Sequence, residues 1–216
     1  KRAGFVEVDL VAHCNDCSGG EYLHSLVLTD VATAWTECVA LPNRGQKAVA
    51  KAIDQVRQRL PFPLLGLDSD NDTGFINGIL ARYCQQHQIT FTRSRPYKKN
   101  DQAYVEQKNW TMVRRVVGYD RYEGPLAVAR MQALYQVLRL YANFFQPVMK
   151  LTSKERVGSK LTKKYDMAKT PYRRVLDAPE ASDEVKAQLQ QQYLALNPAA
   201  LLQELHALQE QLWQVA

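Results

Sequence analysis

Apolar and polar residues alternate in part through residues 5–12, FVEVDLVA, and the run is rich in valine, which predicts a β-strand. Residues 22–29 (YLHSLVLT) and 34–40 (AWTECVA) predict two more, with turns at Ser18-Gly19-Gly20 and around Asp30, so the chain opens on a three-stranded meander. After Asn43-Arg44-Gly45 the period changes. Val49, Ile53, Val56 and Leu60 recur at helical spacing, and Pro61 and Pro63 end the helix. Residues 64–67 (LLGL) form a short apolar run that fits a buried strand, and 68–74 read as a polar turn. Residues 75–87 predict a helix, 89–92 (ITFT) a last strand, 102–117 a helix, and 125–145 a long helix that starts at Gly124-Pro125. Hairpin-joined strands followed by helix–strand crossovers predict an α/β fold with a mixed five-stranded sheet flanked by helices.

Beyond residue 145 the pattern fades. Residues 146–178 lack periodicity and predict an extended linker or a small irregular unit. Residues 179–216 return to helix, with Asn197-Pro198 as cap and first turn. Leu201, Leu205, Leu208, Leu212 and Val215 make a seam of about two heptads, too short for a strong coiled coil. The simplest expectation is a helical hairpin packed on Val185 and Leu189. The chain thus divides into a core (1–145), a basic segment (146–178) and a helical tail (179–216). Its abrupt start on a strand, with no signal peptide, gives the expectation of a further domain on the N-terminal side.

Charge sharpens this division. The formal net charge of +6 is concentrated: residues 93–122 hold 8 Lys/Arg against 3 Asp/Glu, and 145–176 hold 9 against 2. Two readings stand for these blocks, phosphate neutralisation on a nucleic acid and a solvated basic surface. No apolar run is long enough to span a bilayer, so no membrane partner is expected. The four cysteines (Cys14, Cys17, Cys38, Cys84) are spread as free thiols are. Cys14 and Cys17, with His13 and His24, leave open a zinc or redox site or an inert turn. The want of a second paired ligand set weighs towards the turn.

Three acids stand out by placement. Asp9 lies inside the first strand, where a charge is costly unless paired or bound to a cation. Asp70 follows the fourth strand in Asp68-Ser69-Asp70-Asn71, and Glu106 lies early in the helix after the basic loop, with 35 residues between it and Asp70. A carboxylate in the first strand, a second at Asp-Asn after the fourth, and a Glu after this gap resemble the D-D-E motif of retroviral integrases and bacterial insertion-sequence transposases. The flanks are similar as well: residues 67–75 around Asp70, and Ser94-Arg95-Pro96-Tyr97, Asn100, Gln102, Val105 and Asn109 around Glu106. The resemblance covers roughly residues 5–145. Asp72 and Asp101 depart from it, standing where glycine is usual.

The resemblance implies an RNase H-like core and a polynucleotidyl transferase that hydrolyses phosphodiesters and joins 3′-hydroxyl ends in mobile-element DNA. It implies Asp9, Asp70 and Glu106 as catalytic residues and as ligands of Mg²⁺ or Mn²⁺, a cation that takes oxygen donors and acts on phosphate oxygens. Its partners would be double-stranded DNA, at transposon ends and target, and further copies of the chain on that DNA. Its place would be the bacterial cytoplasm, associated with the nucleoid. Arg93, Arg95, Lys98, Lys99, Asn100, Gln102, Lys108, Asn109 and Arg114 are the candidate DNA contacts; Trp110 and Tyr104 leave base stacking open, with core packing the stronger expectation for Trp110. A nuclease without strand transfer and a catalytically degenerate DNA-binding module are the alternatives.

Overall fold

The computed structural model describes residues 2–17, 19–70, 72, 75, 78–95 and 102–216. The first apolar run is strand β1 (Phe5–Ala12). It pairs antiparallel with β2 (His24–Asp30), which pairs antiparallel with β3 (Thr36–Leu41). On its other side β1 pairs in parallel with β4 (Gly66–Ser69), and β4 with β5 (Thr90–Arg93). The order β3-β2-β1-β4-β5 is the mixed five-stranded sheet that the pattern predicts.

Alternation along the strands sorts side chains to two cores. Val6, Val8, Leu26, Leu28, Val39 and Leu41 face helix α1 (Gln46–Arg59), whose Val49, Ile53 and Val56 meet them, and α2 (Gly78–Gln86) with Leu80 and Cys84. Val11, Val27, Cys38 and Ala40 face the opposite layer. There lie α3 (Ala103–Lys108), a π-helical stretch (Asn109–Arg114), a last turn α4 (Arg115–Val117) and the long helix α5 (Gly124–Phe145).

The fourth strand begins two residues later than its apolar run. Leu64 is buried, but the ladder is set by β1, whose Phe5 pairs with Gly66. The Phe5 ring lies so close over Gly66 that a Cβ there would stand 2.4 Å from it, so only glycine fits. Asp68 is therefore a strand residue and not part of a turn.

Beyond residue 145 the segment without readable periodicity folds as a two-stranded sheet, β6 (Leu151–Val157) and β7 (Lys160–Tyr165), followed by α6 (Pro171–Leu176). The base of this hairpin is tied down. Arg174 donates from both terminal nitrogens to Asp166, at 2.7 and 3.0 Å, and the Lys150 N–H donates to the same carboxylate at 2.7 Å. These donors hold the Asp166 carboxyl at about 2.

Helices α7 (Asp183–Ala195) and α8 (Pro198–Trp213) end the chain. The leucine seam of α8 packs on α5 and not on α7: Leu201, Leu205 and Leu212 join Met131, Leu134 and Leu138 in one cluster. Leu189 and Val185 join Trp35, Phe144 and Tyr172 in another. The long apolar face of α5 offers α8 more surface than the short, mostly polar α7 does. None of the described helices is long and apolar enough to cross a membrane.

One buried polar chain lies between sheet and α5. The His13 ring Nε2 is 2.7 Å from Ser25 Oγ, which is 2.5 Å from the Tyr135 hydroxyl. His13 Nδ1 is buried without a partner among the described residues. Burial, then the Arg114 and His24 charges, push the His13 imidazole down to about 3. The unfolded chain protonates this ring below its ordinary 6.5, whereas the folded protein resists until about 3. Stability should therefore fall as pH drops through that window, by about 2 kcal/mol at pH 5 from this group. Urea unfolding at pH 7 and pH 5 checks it: wild type should lose that much more than His13→Leu, and parallel losses in the two proteins would refute it.

Candidate active site

Asp9 sits on β1, on the face turned towards α3. Its Oδ1 accepts the Leu10 N–H at 2.8 Å, and its Oδ2 accepts Asn109 Nδ2 at 2.6 Å. The parallel register pairs Val8 with Ser69, so Asp70 follows β4 beside Asp9. Asp70 stands just past the carboxyl end of β4, where α/β sheets place their ligands, and Asp9 lies within β1, one residue past the last β1–β4 pair. The Asp70 Oδ1 accepts the Asp72 N–H at 2.9 Å, which fixes its turn.

Glu106 comes from α3, and two side chains dock that helix on the sheet. Glu7, one alternation before Asp9 on β1, accepts the Tyr104 and Val105 N–H groups on Oε2, each at 2.9 Å. Glu7 is only 5% exposed, and it supplies the negative charge and acceptor that a helix N-terminus lacks. Gln102, also buried, donates to the Asp68 carbonyl at 3.1 Å. The helix start is thus held against β1 and β4, and the exposed Glu106 lies close enough for its charge to act on Asp9.

The electrostatics register this gathering. Burial raises the Asp9 carboxyl most. The Leu10 and Asn109 hydrogen bonds oppose the rise, while the charges of Asp70 and Glu106 add to it, and the carboxyl comes to about 6. Asp70 is raised by burial and by Asp72, against the Asp72 N–H bond. Among the described residues no three His, Cys, Asp or Glu side chains stand close enough for a ready-made metal site. The donor chemistry nonetheless fits a hard divalent cation. The acids offer only oxygens, their mutual repulsion is what a cation relieves, and the buried Asn109 Oδ1 beside Asp9 has no partner among the described residues.

Comparison with known proteins agrees with this fold. Residues 1–99 match the family described as the integrase core domain. The catalytic core domain of BIV integrase superposes with a TM-score of 0.51 at 20% identity, over 81% of this chain and 94% of that one. The chain has the α/β fold of retroviral integrase catalytic cores, and residues 1–99 carry the integrase core domain match. An intasome of simian T-cell lymphotropic virus, solved with PP2A regulatory subunit B56 gamma, gives a TM-score of 0.51 at 12% identity, over 68% of this chain and 52% of that one. At such identities both likenesses concern the fold. An uncharacterized protein of Sinorhizobium fredii (strain NBRC 101917 / NGR234), y4rM, is 49% identical over 162 residues, 75% of this chain. The chain spans 46% of the length of that relative.

Within this fold the candidate DNA contacts divide. Arg93 and Arg95 are exposed beside the sheet edge, Arg93 over the Phe91 ring at 5.8 Å. Lys98, Lys99 and Asn100 lie outside the described residues. The Gln102 amide is committed to the strands, and Asn109 to Asp9. Lys108 is half-buried towards Cys38, and burial lowers its pKa. Arg114 donates to the Ala12 carbonyl at 3.1 Å and stands 4.7 Å from the Tyr119 ring centroid.

Trp110 departs from expectation. It is 52% exposed and not in the core, because the helix buries Val105, Met112, Val113 and Val117. Sequence reasoning passed over Glu7. Its signal was a second charge in the same apolar strand, in phase with Asp9. Cys14 and Cys17 close a turn through a 3.2 Å backbone bond, all four cysteines are free thiols, and His13 is taken up by Ser25.

Proposed function

We propose that this chain is the catalytic core of a polynucleotidyl transferase that cuts and joins strands of mobile-element DNA, with Asp9, Asp70 and Glu106 as catalytic residues. The observation that supports it most is that Asp9 within β1 feels the charges of both Asp70, just past β4, and Glu106, on the helix that Glu7 caps. The three carboxylates would hold Mg²⁺ or Mn²⁺. When bound, that ion supplies charge neutralisation and polarisation of phosphate oxygens. Asn109 orients the Asp9 carboxylate, and Glu7 and Gln102 hold the α3 start so that Glu106 keeps its place. Arg93, Arg95 and Arg114 would position phosphates without reading bases. Double-stranded transposon-end and target DNA would be the substrates, and copies of the chain would assemble on them in the bacterial cytoplasm, at the nucleoid.

Incubation of the protein with Mg²⁺, target plasmid and a pre-cut donor duplex tests this. Joined donor–target product is expected, and it should vanish with EDTA. Cleavage without any joined product would identify a nuclease instead. No metal-dependent product of either kind, from protein that still binds DNA, would mean a binding module.

A further inference from the structure

The helix that carries Glu106 does not continue as a regular α-helix. From Asn109 to Arg114 it is wound as a π-helix, a rare form that is frequently found at functional sites. At its start Asn109 reaches Asp9, and at its end Arg114 reaches the Ala12 carbonyl, three residues further along β1. Between these two anchors the Trp110 indole is left 52% exposed, one helical turn from Glu106. The helix then breaks at Gly118, where φ is +89°, a conformation that favours glycine. The chain turns back and sets Tyr119, itself 59% exposed, against the Arg114 guanidinium at 4.7 Å. Glu106, Trp110, Arg114 and Tyr119 thus form a strip that leads out of the acidic site, with an aromatic face on either side of a fixed cation.

Burying a large apolar side chain is worth about 1.5–3 kcal/mol, so two exposed rings beside one site call for an occupant. The strip is narrow and broken by charge, which suits neither an apolar protein groove nor a lipid surface. Flat rings interleaved with a guanidinium match the alternation of bases and phosphates in a single strand. A paired duplex keeps its base faces stacked on one another and offers the rings only sugar and phosphate.

We propose that Trp110, with Tyr119 and Arg114, is a stacking platform for unpaired nucleotides at the end of the DNA strand that enters the Asp9–Asp70–Glu106 site. This rests on the reading of that site as the strand-cutting centre. The indole takes a base face, Arg114 takes the adjoining phosphate, and the strand end is kept apart from its complement while it is held beside the carboxylates.

Binding measured in EDTA tests the platform apart from any chemistry. The probes are a labelled single-stranded oligonucleotide of about 16 nucleotides and a blunt duplex of the same sequence, followed by fluorescence anisotropy. Trp110→Ala should weaken single-strand binding about 5- to 150-fold, the range of one lost base–aromatic stack, and leave duplex binding within about twofold. Trp110→Phe should restore most of the loss. In a Trp213→Phe background the single strand should quench the remaining exposed indole, since Trp35 is only 1% exposed.

Unchanged single-strand affinity in Trp110→Ala, or equal losses on both probes, would overturn the proposal. So would intact DNA binding with a smaller assembly by light scattering, which would make Trp110 a contact between proteins. If the strand-joining assay fails while Trp110→Ala still loses single-strand binding, the cutting reading falls and the platform stands. The reverse pattern removes the platform alone.

Discussion

Asp9→Asn is expected to lower the metal-dependent cutting and joining rate on the order of 10³-fold or more. Neutralising the carboxylate at the centre of the site removes several kcal/mol of transition-state stabilisation, at 1.36 kcal/mol per tenfold. The substitution keeps shape and hydrogen-bonding reach, so the contacts to Leu10 and Asn109 can largely persist. It also takes away a charge that the fold holds at a cost, since burial and the neighbouring Asp70 and Glu106 charges push this carboxyl up to about 6. The variant should therefore melt no lower than wild type. Wild type should gain melting temperature on addition of Mg²⁺ or Mn²⁺, and Asp9→Asn should not. Rates and thermal melts with and without the ion measure both. An Asp9→Asn protein that joins strands within about tenfold of wild type would remove Asp9 from the catalytic set.

Glu37→Ala is expected to cost about 3–5 kcal/mol of folding stability, the range for removing one partner of a buried ion pair. Glu37 has no exposed surface. Its Oε1 accepts Trp35 Nε1 at 2.9 Å, and both its oxygens accept Arg139 Nε at 3.0 Å, with Arg139 Nη2 at 2.9 Å from Oε1. Arg59 brings Nε within 2.9 Å of Oε2, an ion pair whose N–H is not aligned for a hydrogen bond. One carboxylate on β3 thus serves α1 and α5, on opposite faces of the sheet, and a buried indole. Alanine would leave two guanidinium groups without their counter-charge and an indole N–H without its acceptor, in a domain whose total stability is of order 5–15 kcal/mol. Urea unfolding of the two proteins at pH 7 measures the loss. A difference under about 1 kcal/mol would show that water replaces the carboxylate easily.

The sequence by itself determined the elements whose periodicity is local. Period-two alternation in residues 5–12 marked β1, and Val49, Ile53 and Val56 marked α1 up to its proline stop. The switch from meander to crossovers determined the mixed sheet. An acid inside an apolar strand drew attention to Asp9, since such a charge is costly without a reason. The 35-residue gap and the flanking residues marked Asp70 and Glu106.

The tertiary structure decided what depends on residues distant in the chain. The β4 register was chosen by Phe5 over Gly66, so a run read as ending at Leu67 continues through Ser69. The hairpin at 151–165 has no apolar face to leave a pattern, because its strands are mostly exposed and held at the base by Asp166 and Arg174. Only the surface of α5 could draw the α8 seam away from α7. Only the docking of α3 on β1 could turn Glu7 into a helix cap, bury Gln102, and leave Trp110 facing outwards. A side chain's period tells which residues share a face; whether that face meets core, neighbour or solvent is settled by which other element arrives there.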